Sequence, residues 1–379
     1  MLPALNPDSV NLSDVLSSSL QAIAGEDNRL SLPAVRHAVV LLVDGLGAHN
    51  LKARSGHART LAAALSRAAV IQSGFPTTTA AAIASLTTGT RPGQHGLVGY
   101  SALDPVNNRV LHQLSGWDSL TDPATWQRMP TVFERASESG FRAVAVGAAR
   151  YRDSGFTRAV LRGARYVVAG SLAERIRAAV EVGQSSDQPS LTYVYAPELD
   201  MAGHANGWQS PQWTHALESL DAALSTAVAQ LAPDQGLLVT ADHGMIDIPR
   251  ESHVLFDTAP ELLEGIAHVA GEPRCLQLYF HTGVSIEVRA EVLERWRESE
   301  ASRAWVTSRE EAIAAGWFGA VSPDVTDRIG DIIVAARKSV AYYDSRIANE
   351  KGRNMIGQHG SWSDEELRVP LLRYGAFAL

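Results

Sequence analysis

Four short motifs place carboxylates and imidazoles where an apolar run ends or a glycine-flanked loop begins. Asp44 follows HAVVLLV at 37–43, and Asp200 with His204 follows SLTYVYA at 190–196. The pair Asp242-His243 follows GLLVTA at 236–241, and His359 sits in GQHGS at 357–361. Asp200 and His204 are four apart, so one helical turn or a compact loop aims both at one point. Any one of these is ordinary turn chemistry. Together they offer three carboxylates and three imidazoles. That donor set suits zinc first and manganese second. Six protein ligands are too many for one tetrahedral ion and suit two, roughly 4 Å apart in two-metal hydrolytic sites. The single cysteine, Cys275, rules out a Cys-based metal site and an intrachain disulfide.

A second stretch carries hydroxyls. Residues 75–89 read FPTTTAAAIASLTTG. Pro76 punctuates the start, an alanine-rich run of high helix propensity follows, and Gly89 ends it. The spacing predicts a short helix with Thr77, Thr78 and Thr79 at its N-terminus. Unpaired N–H groups and a partial positive charge there suit an anion such as phosphate. Taken alone, the threonines are either caps or a nucleophile. His95, in the glycine-rich loop beyond, reads as a hydrogen-bonding loop histidine. Arg150, Tyr151 and Arg152 lie just past another strand, where a phosphate could be met.

The elements that must hold these residues alternate. Apolar strand patterns at 37–43, 141–147, 190–196 and 236–241 are separated by helical patterns at 131–139, 172–182 and 212–231. A further helix is expected over 60–69, a short strand over 69–74 and an amphipathic helix over 12–23 ending near Gly25. Strand–helix alternation predicts an α/β fold with a mostly parallel central sheet flanked by helices. Carboxylates just past buried strands then lie at the sheet's carboxyl edge, where such folds bind ligands. Residues 101–130 read as an irregular excursion. Beyond about 250 the pattern changes, with strands at 275–281 and 331–335 and a charged helix at 288–297. A catalytic core of 1–250 and 350–379, with a smaller α+β subdomain inserted at 251–349, is the expected organisation.

Composition narrows the function classes. A chain of 379 residues, 45% hydrophobic, has ample material for a large core. A net charge of −8 argues against a general nucleic-acid-binding surface, so an anionic substrate needs local positive charge. The start, MLPALNPDSVNLSD, lacks a basic region followed by an apolar one, and no apolar run reaches membrane-spanning length. A soluble cytoplasmic protein is expected. Nothing in the sequence indicates an oligomeric state.

In order, VDGLG (43–47), FPTTTAAAIASLTTGTRPGQHG (75–96), ELDMAGHANG (198–207), TADHGM (240–245) and GQHGS (357–361) resemble the alkaline phosphatase superfamily, most closely its nucleotide pyrophosphatase/phosphodiesterase branch. The resemblance spans roughly 36–250 and 350–379. It implies an alkaline phosphatase-like core with two zinc ions, one held by Asp44, Thr79, Asp242 and His243, the other by Asp200, His204 and His359. It implies Thr79 as the nucleophile, with Thr77 and Thr78 as neighbours that a register shift would substitute. It implies hydrolysis of phosphodiester or pyrophosphate bonds in a small phosphorylated substrate through a phospho-threonine intermediate. Where phosphodiesterases of this family typically place a phosphate-binding asparagine, this chain has Tyr100, which donates one hydrogen bond with a different reach. A phosphomonoesterase or phosphonate hydrolase on the same core is the alternative. A monoester dianion needs extra positive groups, for which Arg91 and Arg150 are the candidates. A silent metal-binding protein is disfavoured, because it has no need of the threonine together with all six ligands.

Overall fold

The run HAVVLLV forms a strand, His37–Val43, buried along its whole length at the middle of a seven-stranded sheet. A strand covered on both faces needs side chains apolar throughout, which is why this run does not alternate. Across the sheet the order is Val70–Gln72, Arg368–Gly375, Gln235–Thr240, His37–Val43, Ser190–Ala196, Arg142–Gly147 and Arg165–Val168. Arg368–Gly375 runs antiparallel to both neighbours and the other ladders are parallel, so the sheet is mostly parallel. The computed structural model describes residues 2–4, 6, 8–185, 187–347 and 351–378.

Register sets up the site. Val43 faces Ala196 and Leu42 faces Thr240, so the residues following three adjacent strands emerge at one edge. Helices Leu12–Ala24, Leu172–Gln184 and Pro211–Val228 pack apolar stripes on the sheet, among them Leu12, Val15, Leu16, Ile176, Trp213, Leu217 and Leu220. Two of them begin with reciprocal caps, Asn11 with Asp14 and Ser171 with Glu174. Such caps are each worth about 1 kcal/mol.

A second sheet of four antiparallel strands is ordered Ile266–Glu272, Cys275–Phe280, Ile332–Ala336, Ala304–Ser308. Helix Ile286–Glu300 covers it, burying Val292 and Trp296 against Leu278, Ile332 and Val334. These elements lie within residues 251–349, and residues 348–350, where the sequence reading places the return to the core, fall outside the described residues. An aromatic cluster lies against the second sheet at Cys275, Ile333 and Ala335. Phe75, just ahead of the threonines, stacks on Trp362 at 4.6 Å and meets Trp317 edge-on at 4.7 Å. The threonine turn and the segment after His359 are thereby packed on common ground.

The expected helix over 60–69 is instead helix Arg59–Ala64, an extended Leu65-Ser66 step and a 3₁₀ turn at Arg67–Ala69, which redirect the chain into the edge strand. Residues 101–130 are not irregular throughout. Ser101–Asp104 pairs with Arg109–His112, and the Asp104 carboxylate accepts from the Val106 and Asn107 amides to close the turn. Strands of four residues are too short for a period to register in sequence. Among the described residues no helix is long and apolar enough to cross a membrane.

Candidate active site

All seven residues expected to bind metal converge at the carboxyl edge of the sheet. Asp44 ends the central strand, Asp242 and His243 follow the neighbouring one, and helix Glu198–Asn206 brings Asp200 and His204 to the same face. His359 enters from the segment before the last strand. His243 Nε2 lies 3.4 Å from both Asp44 Oδ1 and Asp242 Oδ2. His204 Nε2 lies 3.2 Å from Asp200 Oδ1, and His359 Nε2 is 3.8 Å from that same oxygen. Two sets of potential ligand atoms fall within 4.8 Å of one another: Asp44, Asp242 and His243, and Asp200, His243 and His359. His243 therefore stands between the two groups.

The imidazoles are oriented alike. Nδ1 of His204 meets the Gly357 carbonyl at 2.7 Å, Nδ1 of His243 the Gly244 carbonyl at 3.1 Å, and Nδ1 of His359 the Thr77 carbonyl at 2.8 Å. A carbonyl only accepts, so each Nδ1 carries the proton and each Nε2 presents a lone pair. The Nε2 atoms of His204 and His359 face each other at 3.3 Å. Two lone pairs at that distance repel unless a cation lies between them. The carboxylates give the same signal. Asp44 Oδ1, Asp200 Oδ1 and Asp242 Oδ2 are buried and have no hydrogen-bond donor. Burial, then Asp242 and Asp200, pushes the Asp44 carboxyl well up, and burial raises Asp200 too. Burial and the neighbouring His243 and His204 hold His359 well below the usual imidazole range. A divalent cation relieves all of these penalties together, so the donor set fits a metal centre.

The three threonines are distinguished by their partners. Thr77 Oγ1 donates to the Ser361 carbonyl at 2.7 Å and accepts from the Gly360 amide at 3.1 Å. Thr78 is the N-cap of helix Thr79–Thr88, but its side chain makes no capping hydrogen bond. Thr79, the first helical residue, places Oγ1 3.2 Å from His243 Nε2. Gly89 ends the helix at φ 71°, a conformation that favours glycine. His95 anchors the helix from behind. Leu97 N–H donates to its Nδ1 at 3.2 Å, so Nε2–H is left to donate to Ser85 Oγ at 3.0 Å. Burial lowers the His95 pKa to about 3, and the ring stays neutral.

Thr78, Thr79 and Tyr100 line a cavity of about 340 Å³ together with Asp44, Asp200, His204 and His359. Neither arginine weighed for a monoester dianion lines it. Arg91 packs against Gly319, and Arg150 lies over the Tyr151 ring at 4.8 Å.

Several supporting residues carry no local sequence signal. The Tyr195 hydroxyl donates to Asp44 Oδ2 across 151 residues of chain. Asn50 clamps the loop after His243 through the Met245 carbonyl at 3.1 Å. Arg274 and Glu366, both fully buried, form a two-pronged ion pair at 2.8 and 2.7 Å. Glu366 also accepts from the Ser361 amide at 2.9 Å, and its carbonyl accepts from the Gly244 amide at 2.8 Å. The pair thus braces both the His243 and the His359 segments. Glu272, at the end of a second-sheet strand, is buried beside Thr78, and burial raises its pKa to about 8.

Carboxylates and imidazoles thus gather at the carboxyl edge of a mostly parallel α/β sheet, the edge where such folds bind ligands. The family model for type I phosphodiesterase / nucleotide pyrophosphatase matches residues 38–362, and the chain belongs to that family. A curated relative from Schizosaccharomyces pombe, an uncharacterized pyrophosphatase/phosphodiesterase, is 24% identical over 179 residues, covering 45% of this chain and 36% of the relative. The match thus spans about a third of that relative's length. Among solved structures, murine ectonucleotide pyrophosphatase / phosphodiesterase 5, an inactive threonine-to-alanine variant in complex with AMP, superposes with a TM-score of 0.66 at 18% identity, covering 89% of this chain and 88% of that one. Phosphonoacetate hydrolase from Sinorhizobium meliloti, in complex with phosphonoformate, gives 0.68 at 20% identity over 90% and 91%. At such identities the likeness establishes the fold.

Proposed function

We propose that this protein hydrolyses phosphodiester or pyrophosphate bonds in a small phosphorylated substrate, through a covalent phospho-threonine intermediate on Thr79 at a dinuclear metal centre. The observation that carries the reading is the convergence of three undonated carboxylate oxygens and three imidazole Nε2 atoms beside the Thr79 hydroxyl. Asp44, Asp242, His243 and Thr79 would hold one ion, and Asp200, His204 and His359 the other. Zinc is the first candidate and manganese the second. When bound, such ions supply the positive charge that favours the threonine alkoxide and neutralises charge developing on the substrate. The murine relative, inactive as a threonine-to-alanine variant and bound to AMP, supports this assignment.

The chain's own groups then divide the work. Thr79 Oγ1 attacks phosphorus, forming the Oγ–P bond as the bond to the leaving oxygen breaks. The hydroxyl proton passes to solvent, and solvent water protonates the departing alkoxide. A water then attacks phosphorus, the Oγ–P bond breaks, and Thr79 is regenerated. The helix N-terminus, left without a side-chain cap at Thr78, favours negative charge at the phosphoryl group. Tyr100 offers its hydroxyl as one donor to a non-bridging oxygen.

The choice of a diester over a monoester rests on charge. A monoester dianion calls for side-chain cations, and among the described residues no Lys or Arg lines the cavity. Bis-p-nitrophenyl phosphate is therefore expected to be turned over at least about tenfold faster, as kcat/KM, than p-nitrophenyl phosphate. The reverse ranking would favour the monoesterase alternative.

A further inference from the structure

The cavity that opens on Thr79 extends well beyond the space a phosphate needs. Its apolar wall is built from Ile83, Leu114, Val146, Phe156, Val160 and Leu161, with the ring of Tyr166 among them. Ile83 lies one helical turn beyond Thr79, so the apolar wall begins directly behind the nucleophile position.

Three of the hydroxyls in this wall are already engaged. The Tyr166 hydroxyl donates to the Ala148 carbonyl at 2.9 Å, the Tyr195 hydroxyl donates to Asp44, and Ser154 Oγ accepts from the Thr157 amide at 3.1 Å. Beyond Asp44, Asp200, His204 and His359, no Asp, Glu, Asn, Gln, Lys, Arg or His lines the cavity among the described residues. A nucleobase edge carried into this space would lose its water and find only hydroxyls, with no side-chain amide or cation to match its several donors and acceptors. Each donor or acceptor left unpaired costs roughly ten- to a hundredfold in affinity. A further phosphate would find no cation. A hydrocarbon group has no such cost and gains about fourfold in affinity for each methylene buried. The volume, about 340 Å³, is roughly twice that of an apolar cavity that takes up benzene.

We infer that the phosphodiester cleaved here carries an apolar ester group, alkyl or aryl, seated against Ile83, Phe156 and Leu161. This inference rests on the phosphodiesterase reading above and narrows its substrate class from small phosphorylated compounds in general to those with a hydrophobic substituent. The phosphoryl group would sit at Thr79 against the ions that the ligand set would hold, and the wall selects what is attached to it.

The test is calorimetric titration of the metal-loaded protein with methyl-, propyl- and hexylphosphonate and with AMP, alongside turnover of bis-p-nitrophenyl phosphate. Kd is expected to fall at least a hundredfold from methyl- to hexylphosphonate, with hexylphosphonate binding more tightly than AMP. Leu161→Trp, which fills space at the apolar wall, is expected to remove that chain-length gain while leaving methylphosphonate affinity within about twofold. Leu114→Trp serves the same purpose should the first variant fail to fold. A flat series, or AMP the tighter ligand, would overturn the inference even with diester turnover intact. A steep series without any diester turnover would overturn the hydrolytic reading and leave the cavity's preference for apolar ligands supported.

Discussion

Thr79→Ala is expected to lower turnover of a phosphodiester by at least about a thousandfold while leaving the metal content of the protein largely unchanged. The hydroxyl is the one oxygen of the threonine run set against the ligand cluster, 3.2 Å from His243 Nε2. The six other proposed ligands would remain to hold the ions, so loss of activity with metals retained would isolate the nucleophile. Steady-state kinetics and metal analysis on the same preparation check both halves. Retained activity would transfer the role to Thr78, which also lines the cavity. Thr77 is not an equal candidate, because its hydroxyl is spent on the Ser361 carbonyl.

Arg274→Ala is expected to be the most damaging change away from the ligands. Arg274 and Glu366 are fully buried, and the guanidinium also donates to the Lys338 and Val340 carbonyls at 2.8 and 2.7 Å. Burial alone would raise the Glu366 carboxyl, but Arg274 outweighs it and holds the group below its ordinary range. Removing the guanidinium strands a carboxylate in the interior, at a cost of about 3–5 kcal/mol. Guanidinium-induced unfolding measures the loss, and Arg274→Met with Glu366→Leu is expected to recover most of it, since an apolar pair leaves no charge behind. A single variant within about 1 kcal/mol of the parent would contradict this view of the pair.

How much of this was legible depended on how far apart the partners lie in the chain. The central strand and its neighbours were readable because burial on both faces demands continuous apolar runs, and the runs at 37–43 and 236–241 end directly at the carboxylates they position. The helix after the threonines was readable from alanine propensity and from Gly89. His95, read as a hydrogen-bonding histidine of the glycine-rich loop, bonds Ser85 Oγ and the Leu97 amide. Contacts made only by folding were not readable. Arg274 and Glu366 are 92 residues apart, and Tyr195 lies 151 residues from Asp44. Neither sits in a local pattern, since charge pairing and a strand-end hydroxyl are common and acquire meaning only from what faces them. The strands Ile266–Glu272 and Ala304–Ser308 escaped for a related reason, because a sheet part-covered by one helix mixes apolar and polar residues without a clean period. His243's place between the two ligand groups likewise follows from stacking on His359 at 3.5 Å between ring centres, a tertiary contact.

The central claim is that the cluster at the carboxyl edge is a two-ion centre. Elemental analysis by inductively coupled plasma mass spectrometry, on protein purified without chelators, tests it most directly. The expected result is close to two divalent ions per chain, zinc foremost. Protein that takes up no divalent metal, even after incubation with zinc or manganese, would contradict the account.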